Sequence, residues 1–223
     1  MTPNDRVARE PSADRLSASW QRMWSGLGAR GDGQEVFAEV VARYEEPHRK
    51  YHDLQHLREC LDAFAAVAPL AERPAEVEAA LWFHDAVYEI GRGDNEERSA
   101  RWAQAGLAAA GAPAEAAGRV AALVRATRHA TVPASNDERL VVDIDLAILG
   151  AAEERFAEYE RQIRAEYATV PDAVFRHRRR AILQAFLDRP HVYGTAHFRE
   201  RLEARARANL ARAIAATMRA SPT

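Results

Sequence analysis

Apolar residues recur at three- and four-residue steps along most of this chain, and that spacing allows little besides packed α-helices. Leu57, Leu61, Phe64, Ala65 and Ala68 make one stripe. Phe198, Leu202, Ala206, Leu210 and Ile214 make another, with arginines mostly on its other faces. A helix turns once in about 3.6 residues, so each set lies along one side of a cylinder. Alanine, leucine, arginine and glutamate dominate, and β-branched runs are scarce, so the alternation of a half-buried strand is missing. The expectation is an all-α, single-domain bundle of about nine helices.

Helix breakers divide the chain. Gly26 and Gly28 stop a first helix that carries Trp20, Met23 and Trp24 and that Ser12 or Asp14 can cap. Gly31-Asp32-Gly33 is a turn, Pro47 and Pro69 end helices, and Pro74 opens one at its first turn. Asp94 or Asn95 can cap the helix after the Gly91–Asn95 loop, and Asp137 a very apolar one closed by Gly150. Residues 1–32 read as an N-terminal tail and first helix, 33–217 as the main helical domain and 218–223 as a C-terminal tail.

Charge excludes some partners. The 223 residues carry 31 basic and 33 acidic side chains, a formal net charge of −2, so no overall basic field invites nucleic acid. Arg176, Arg178, Arg179 and Arg180 form only a local basic patch. Cys60 is the single cysteine, which rules out an intrachain disulfide and a cysteine-based zinc cluster. The N-terminal stretch lacks the basic start and apolar run of a signal peptide, and no apolar run approaches the ~20 residues that cross a bilayer. A soluble cytoplasmic protein without a membrane partner is expected, with a homo-oligomer left open.

The chemistry sits in polar residues set among apolar ones. His84 and Asp85 lie inside Ala79-Ala80-Leu81-Trp82-Phe83-His84-Asp85-Ala86-Val87-Tyr88. A buried carboxylate there is costly unless something pairs with it. Asp143 and Asp145 lie inside the run Leu140–Leu149, apolar nearly all round, with no basic residue close in sequence. His52 and His56 are four apart, so one helix that includes both puts them on one face, and His129 ends a helix. Together these elements predict a bound cation. The alternative for the aspartates is arginines from another helix. Mixed imidazole and carboxylate ligation suits Mn, Fe, Ni, Co or Zn, and Mg less readily. No His-Glu-x-x-His segment marks a zincin.

The order His56, then His84-Asp85, then Asp145 resembles the H…HD…D signature of the HD superfamily of metal-dependent phosphohydrolases, which are all-helical. Tyr51-His52-Asp53-Leu54-Gln55-His56 is similar to the Tyr-His-Asn-x-x-His segment of cyclic-nucleotide phosphodiesterases, a distant branch of it. More specifically, the chain resembles the bacterial family of predicted HD-superfamily metal-dependent phosphohydrolases. That resemblance runs through Tyr51–Leu57, Trp82–Tyr88, Asp94-Asn95-Glu96 with Ser99-Ala100, Asp145–Gly150, and Glu203 with Ala206-Arg207 and Asn209-Leu210.

The resemblance implies an HD-type bundle and metal ligands His56, His84, Asp85 and Asp145. Asp143 is the rival for the last place, or else hydrogen-bonds a ligand histidine. It implies hydrolysis of a phosphate ester, a nucleotide among the options, by metal-activated water. His52 is then the general acid, with Asp85 and Glu96 as further catalytic residues. His129 is a second-metal or phosphate contact, or a histidine at its helix C-terminus. Glu96 and Asp94 are set to orient water, unless Asp94 caps its helix. Tyr88 lines the site, and Lys50, Arg179 and Arg207 are the basic groups for phosphate. The expected ligand is a small phosphorylated substrate. Two other classes stay open: a regulatory helical module that binds nucleotide or metal without turnover, and an HD-type di-iron oxygenase.

Overall fold

Ten α-helices and two 3-10 turns make up the regular structure of the computed structural model, which describes residues 12–219. The expected tail residues 1–11 and 220–223, and the capping side chains of Ser12 and Asp14, lie outside the described residues. In chain order the helices are α1 (Ser12–Gly26), α2 (Gln34–Tyr44), α3 (Leu54–Val67), α4 (Pro74–Phe83) and α5 (Asn95–Ala109). They continue as α6 (Ala114–Ala126), α7 (Asn136–Asp145), α8 (Glu153–Glu166), α9 (Asp172–Leu187) and α10 (Ala196–Arg219). The all-α expectation holds. The last helix takes in Met218 and Arg219, which the sequence reading assigns to the tail. No described helix is long and apolar enough to cross a membrane.

Helix α4 is the hub. It is buried on every side from Glu76 to Phe83 and packs against α1, α3, α5, α6 and α7. Its two buried glutamates are compensated, as buried charge requires. Glu78 accepts from Ser19 Oγ at 2.7 Å and pairs with Arg22, while Glu76 takes the Arg119 fork at 2.7 and 2.8 Å. Helix α1 belongs to the same core: Trp20 stacks on Trp24 and meets the Trp82 ring edge-on at 5.1 Å. The turn into α2 needs glycine at Gly33, where φ is 64° and a Cβ would fall 2.5 Å from the Trp24 ring.

The apolar run after Pro133 folds differently from the expected single capped helix. Ser135, not Asp137, caps α7, accepting from Glu138 N. Asp137 instead accepts from the backbone N–H groups of Glu72 and Arg73, tying α7 to the entry of α4. The α-helix ends at Asp145 and continues as a 3-10 turn, Leu146–Gly150. Donors from other elements take the carbonyls this change frees: Tyr193 Oη on Leu146, Asn209 Nδ2 on Leu149 and Arg205 on Gly150. Asp145 therefore sits at a helix end.

Candidate metal centre

Helix α3 begins at Leu54, two residues after His52, so the expected shared helical face of His52 and His56 does not form. Asp53 is the N-cap, its carboxylate accepting from Gln55 N at 2.8 Å and His56 N at 3.4 Å. His56 thus lies in the first turn with Cys60 one turn beyond, and His52 precedes the helix. Helix α4 ends at Phe83, and His84 follows as its C-cap. The His84 Nδ1–H donates to the Leu81 carbonyl at 2.8 Å, so in the neutral ring the lone pair is on Nε2.

Those two rings and two carboxylates converge. His84 Nε2 lies 3.0 Å from His56 Nε2, 3.1 Å from Asp85 Oδ2 and 3.7 Å from Asp145 Oδ1. His56 Nε2 lies 3.5 Å from Asp85 Oδ2 and 3.3 Å from Asp145 Oδ1. Ligands about 2.1 Å from one ion stand roughly 3.0 Å apart in an octahedron and roughly 3.4 Å in a tetrahedron. The observed spacings fall around those values. Two carboxylates with two neutral imidazoles also match the charge of a divalent cation, so the donor set fits a metal ion. The adjacent side chains of His84 and Asp85 do turn to one point, because the chain leaves the helix between Phe83 and Ala86.

Cys60 joins this cluster: its Sγ and donor atoms of His56, His84 and Asp145 lie within 4.8 Å of one another, a group able to hold a metal ion. Between Cys60 and Asp85, the carboxylate is the better donor. Cys60 Sγ is 3.8 Å from both ring nitrogens of His56, beside the ring rather than at its lone pair, and burial pushes its thiol up.

Without an ion the cluster must share protons. Burial opposes charge on His84, and Asp85 and Asp145 more than offset it, so its pKa is raised. His56 is raised well above its ordinary value against the same burial, with Cys60, Tyr51 and the two carboxylates offsetting it. Burial likewise works against charge on Asp85 and Asp145, and the rings hold both low. A cation must displace the ring protons. Metal binding is therefore expected to release protons at neutral pH and to weaken as pH falls. Calorimetric titration in two buffers of different ionisation enthalpy checks this, and a buffer-independent heat contradicts it.

Beside the cluster, Glu166 organises the approach to α3. Its Oε1 accepts the successive backbone N–H groups of Lys50, Tyr51 and His52 at 2.9, 2.9 and 3.0 Å. Its Oε2 lies 2.8 Å from His52 Nδ1 and accepts from Tyr88 Oη at 3.0 Å. Burial raises the Glu166 pKa, but the His52 ring and these N–H groups outweigh it and bring it down to about 2. The Tyr88 ring stacks on His52 with centroids 4.1 Å apart, fixing the plane of the imidazole. His52 keeps 21% of its side chain exposed. Its Nδ1 is engaged and its Nε2 is left for a ligand.

Arg49 joins the two halves of the site. Its buried guanidinium donates to the carbonyls of His52 at 3.1 Å, Asp85 at 2.5 Å and Ala86 at 3.2 Å, and pairs with Glu46 at 3.1 Å. It also lies over the rings of Tyr44 and Tyr88. One planar fork therefore sets the distance between the entry of α3 and the exit of α4.

Other expected site residues fall elsewhere. Asp143 is fully buried and turned from the histidines: it accepts from Gly194 N, Thr195 N and Thr195 Oγ1 at 2.6–2.8 Å, anchoring the start of α10. His129 contacts Asp145 Oδ2 through Nε2 at 2.9 Å and has φ 56°, past the end of α6. Asp94 stands at the N-cap position of α5, but its carboxylate makes no capping bond and pairs with Arg92 instead, while Asn95 braces Glu89. Glu96 sits half-buried in the first turn of α5 and is not among the clustered donors. Lys50 Nζ donates to Pro47 O. The phosphate assignments of two arginines do not fit, because both guanidiniums are engaged by carboxylates of the fold, although the buried Nε of Arg179 has no partner among the described residues. Arg179 is buried, paired with Glu160 and stacked on Tyr159. Arg207 holds Glu203 and the carbonyls of Leu187, Arg189 and Pro190.

Comparison of the chain with family models, with curated proteins and with solved structures finds no match.

Proposed function

We propose that the chain is a soluble, cytoplasmic metal-dependent hydrolase of small phosphate esters, of the HD type that its motifs resemble. The observation that carries this reading is the convergence of His56, His84, Asp85 and Asp145 next to a histidine held separately by Glu166. A divalent ion, when bound, supplies acidified water and offsets charge on phosphoryl oxygens. His56 and His84 would hold it through their Nε2 atoms, with Asp85 and Asp145 supplying the balancing negative charge.

His52 supplies the proton for the leaving oxygen. The Nδ1–H bond to Glu166 fixes the ring so that Nε2 carries the transferred proton. Tyr88, from the opposite wall, prevents the ring from turning. Asp53 departs from the asparagine of the phosphodiesterase segment, yet it caps α3, a task both residue types perform.

The test is a screen of phosphomonoesters, phosphodiesters and nucleotides with Mn, Co, Ni and Mg. Hydrolysis is expected for at least one class, and His52→Asn should lower kcat by about 10²-fold or more with unchanged metal content. Tight ligand binding without turnover across the screen would contradict hydrolysis and indicate a regulatory module. Substrate-dependent oxygen consumption by an iron form would indicate an oxygenase.

A further inference from the structure

Arg189, at the edge of this centre, has no acidic partner among the described residues. It follows the C-cap of α9, half-buried, and one Nη2–H donates to the His129 carbonyl at 3.1 Å. Its guanidinium lies 4.5 Å over the Phe186 ring, and that ring meets His129 edge-on at 5.8 Å. His129 in turn reaches Asp145 of the metal cluster at 2.9 Å. The other N–H donors of the Arg189 fork have no protein acceptor among the described residues.

The arginines with buried or half-buried forks divide into two groups: Arg58, Arg139 and Arg199 share with Arg189 the lack of an acidic partner among the described residues, whereas others are paired. Arg155 pairs with Glu59, Arg179 with Glu160 and Arg207 with Glu203. For Arg189, burial alone acts on the guanidinium and pulls its pKa down, with no carboxylate to restore it. Withdrawing a charge from water without a counter-charge is unfavourable, so the position invites an anion from outside. Presentation is rigid: Arg207 holds the Arg189 and Pro190 carbonyls, and His129 is kept at a positive φ that a non-glycine residue adopts only under constraint. That constraint aims one face of His129 at Asp145 and its carbonyl at Arg189. A buried Nδ1 of His129 in the same layer also has no partner among the described residues.

We propose that Arg189 is an oxyanion-binding residue beside the metal centre and selects substrates that present a phosphate or carboxylate group to its fork. The guanidinium is planar and its parallel N–H donors match such a pair of oxygens. The inference rests on the phosphohydrolase reading for the identity of the substrate, though not for the presence of the anion site.

Titration of inorganic phosphate and of pyrophosphate into metal-free and metal-loaded protein tests it, with metal content measured alongside. Wild type is expected to bind at least one of them in both states. Arg189→Gln should weaken that binding about tenfold or more at equal metal content, the loss typical of a charge-assisted fork. Arg189→Lys keeps the charge and the stem over Phe186 but not the fork, and should show a smaller loss. A preference for pyrophosphate points to a diphosphate-bearing ligand, and equal binding to a single phosphate or carboxylate. Unchanged affinity in either variant overturns the proposal, as does a wild type that binds neither anion. If wild type takes up no metal, the phosphohydrolase reading fails, and the metal-free titration still decides the role of Arg189.

Discussion

Glu166→Gln should destabilise the protein by about 3 kcal/mol at neutral pH, because the carboxylate serves three backbone N–H groups and the His52 ring at once. The folded carboxyl titrates at about 2, against 4.5 for the free group. A depressed pKa contributes stability that is present above 4.5 and lost as pH falls toward 2. At about 1.4 kcal/mol per pH unit, that interval corresponds to the figure given. The difference between wild type and variant should therefore be full at pH 7 and shrink steadily below pH 4.5. Urea unfolding at pH 7 and near pH 3 measures it, and a gap independent of pH would show that the charge of Glu166 is not the cause. The same variant frees the His52 ring, so on the proposed phosphohydrolase reading turnover should fall further than stability alone explains.

Arg49→Lys is the second large effect. Lysine keeps the charge but cannot span Asp85, Ala86 and His52 carbonyls together with Glu46, so at least one buried carbonyl loses its donor. The expected loss is about 2–3 kcal/mol of stability, from unsatisfied buried polar groups. Metal affinity should fall about tenfold, the usual cost when support behind the ligands is removed. Denaturant midpoints and competition with a chelator measure the two. A variant with wild-type metal affinity would show that Arg49 braces the fold without positioning the centre.

Much of the fold was legible because the signals are local. The stripes of α3 and α10, the breakers Gly26 and Pro47, and Pro74 at the start of α4 each depend on neighbours within a turn or two. His84, Asp85 and the run around Asp145 stood out because a charge in an apolar setting needs a partner whatever the fold. Glu166 gave no such signal: it ends a polar helix, and only the tertiary fold brings it to the backbone of Lys50–His52. Arg49 lay within the motif-bearing segment, yet its role depends on carbonyls 36 and 37 residues away. Cys60 was within reach, since it follows His56 by one turn. Asp143 and Asp145 share one apolar run, and because two residues on an α-helix turn by about 200°, one carboxylate faces the histidines and the other the start of α10. Arg179 and Arg207 show the reverse problem, because nothing in sequence separates an arginine spent on the fold from one left for a ligand.

Elemental analysis of protein purified without added metal, for wild type and His84→Ala side by side, bears most directly on the metal centre. Wild type should carry a divalent transition metal in stoichiometric amount, or take one up on incubation. The variant, folded by circular dichroism, should lose most of it, since His84 Nε2 faces His56 and both carboxylates. A wild type that stays metal-free in the presence of Mn, Fe, Co, Ni, Zn and Mg, or a variant that retains full metal content, would contradict a metal centre at this place.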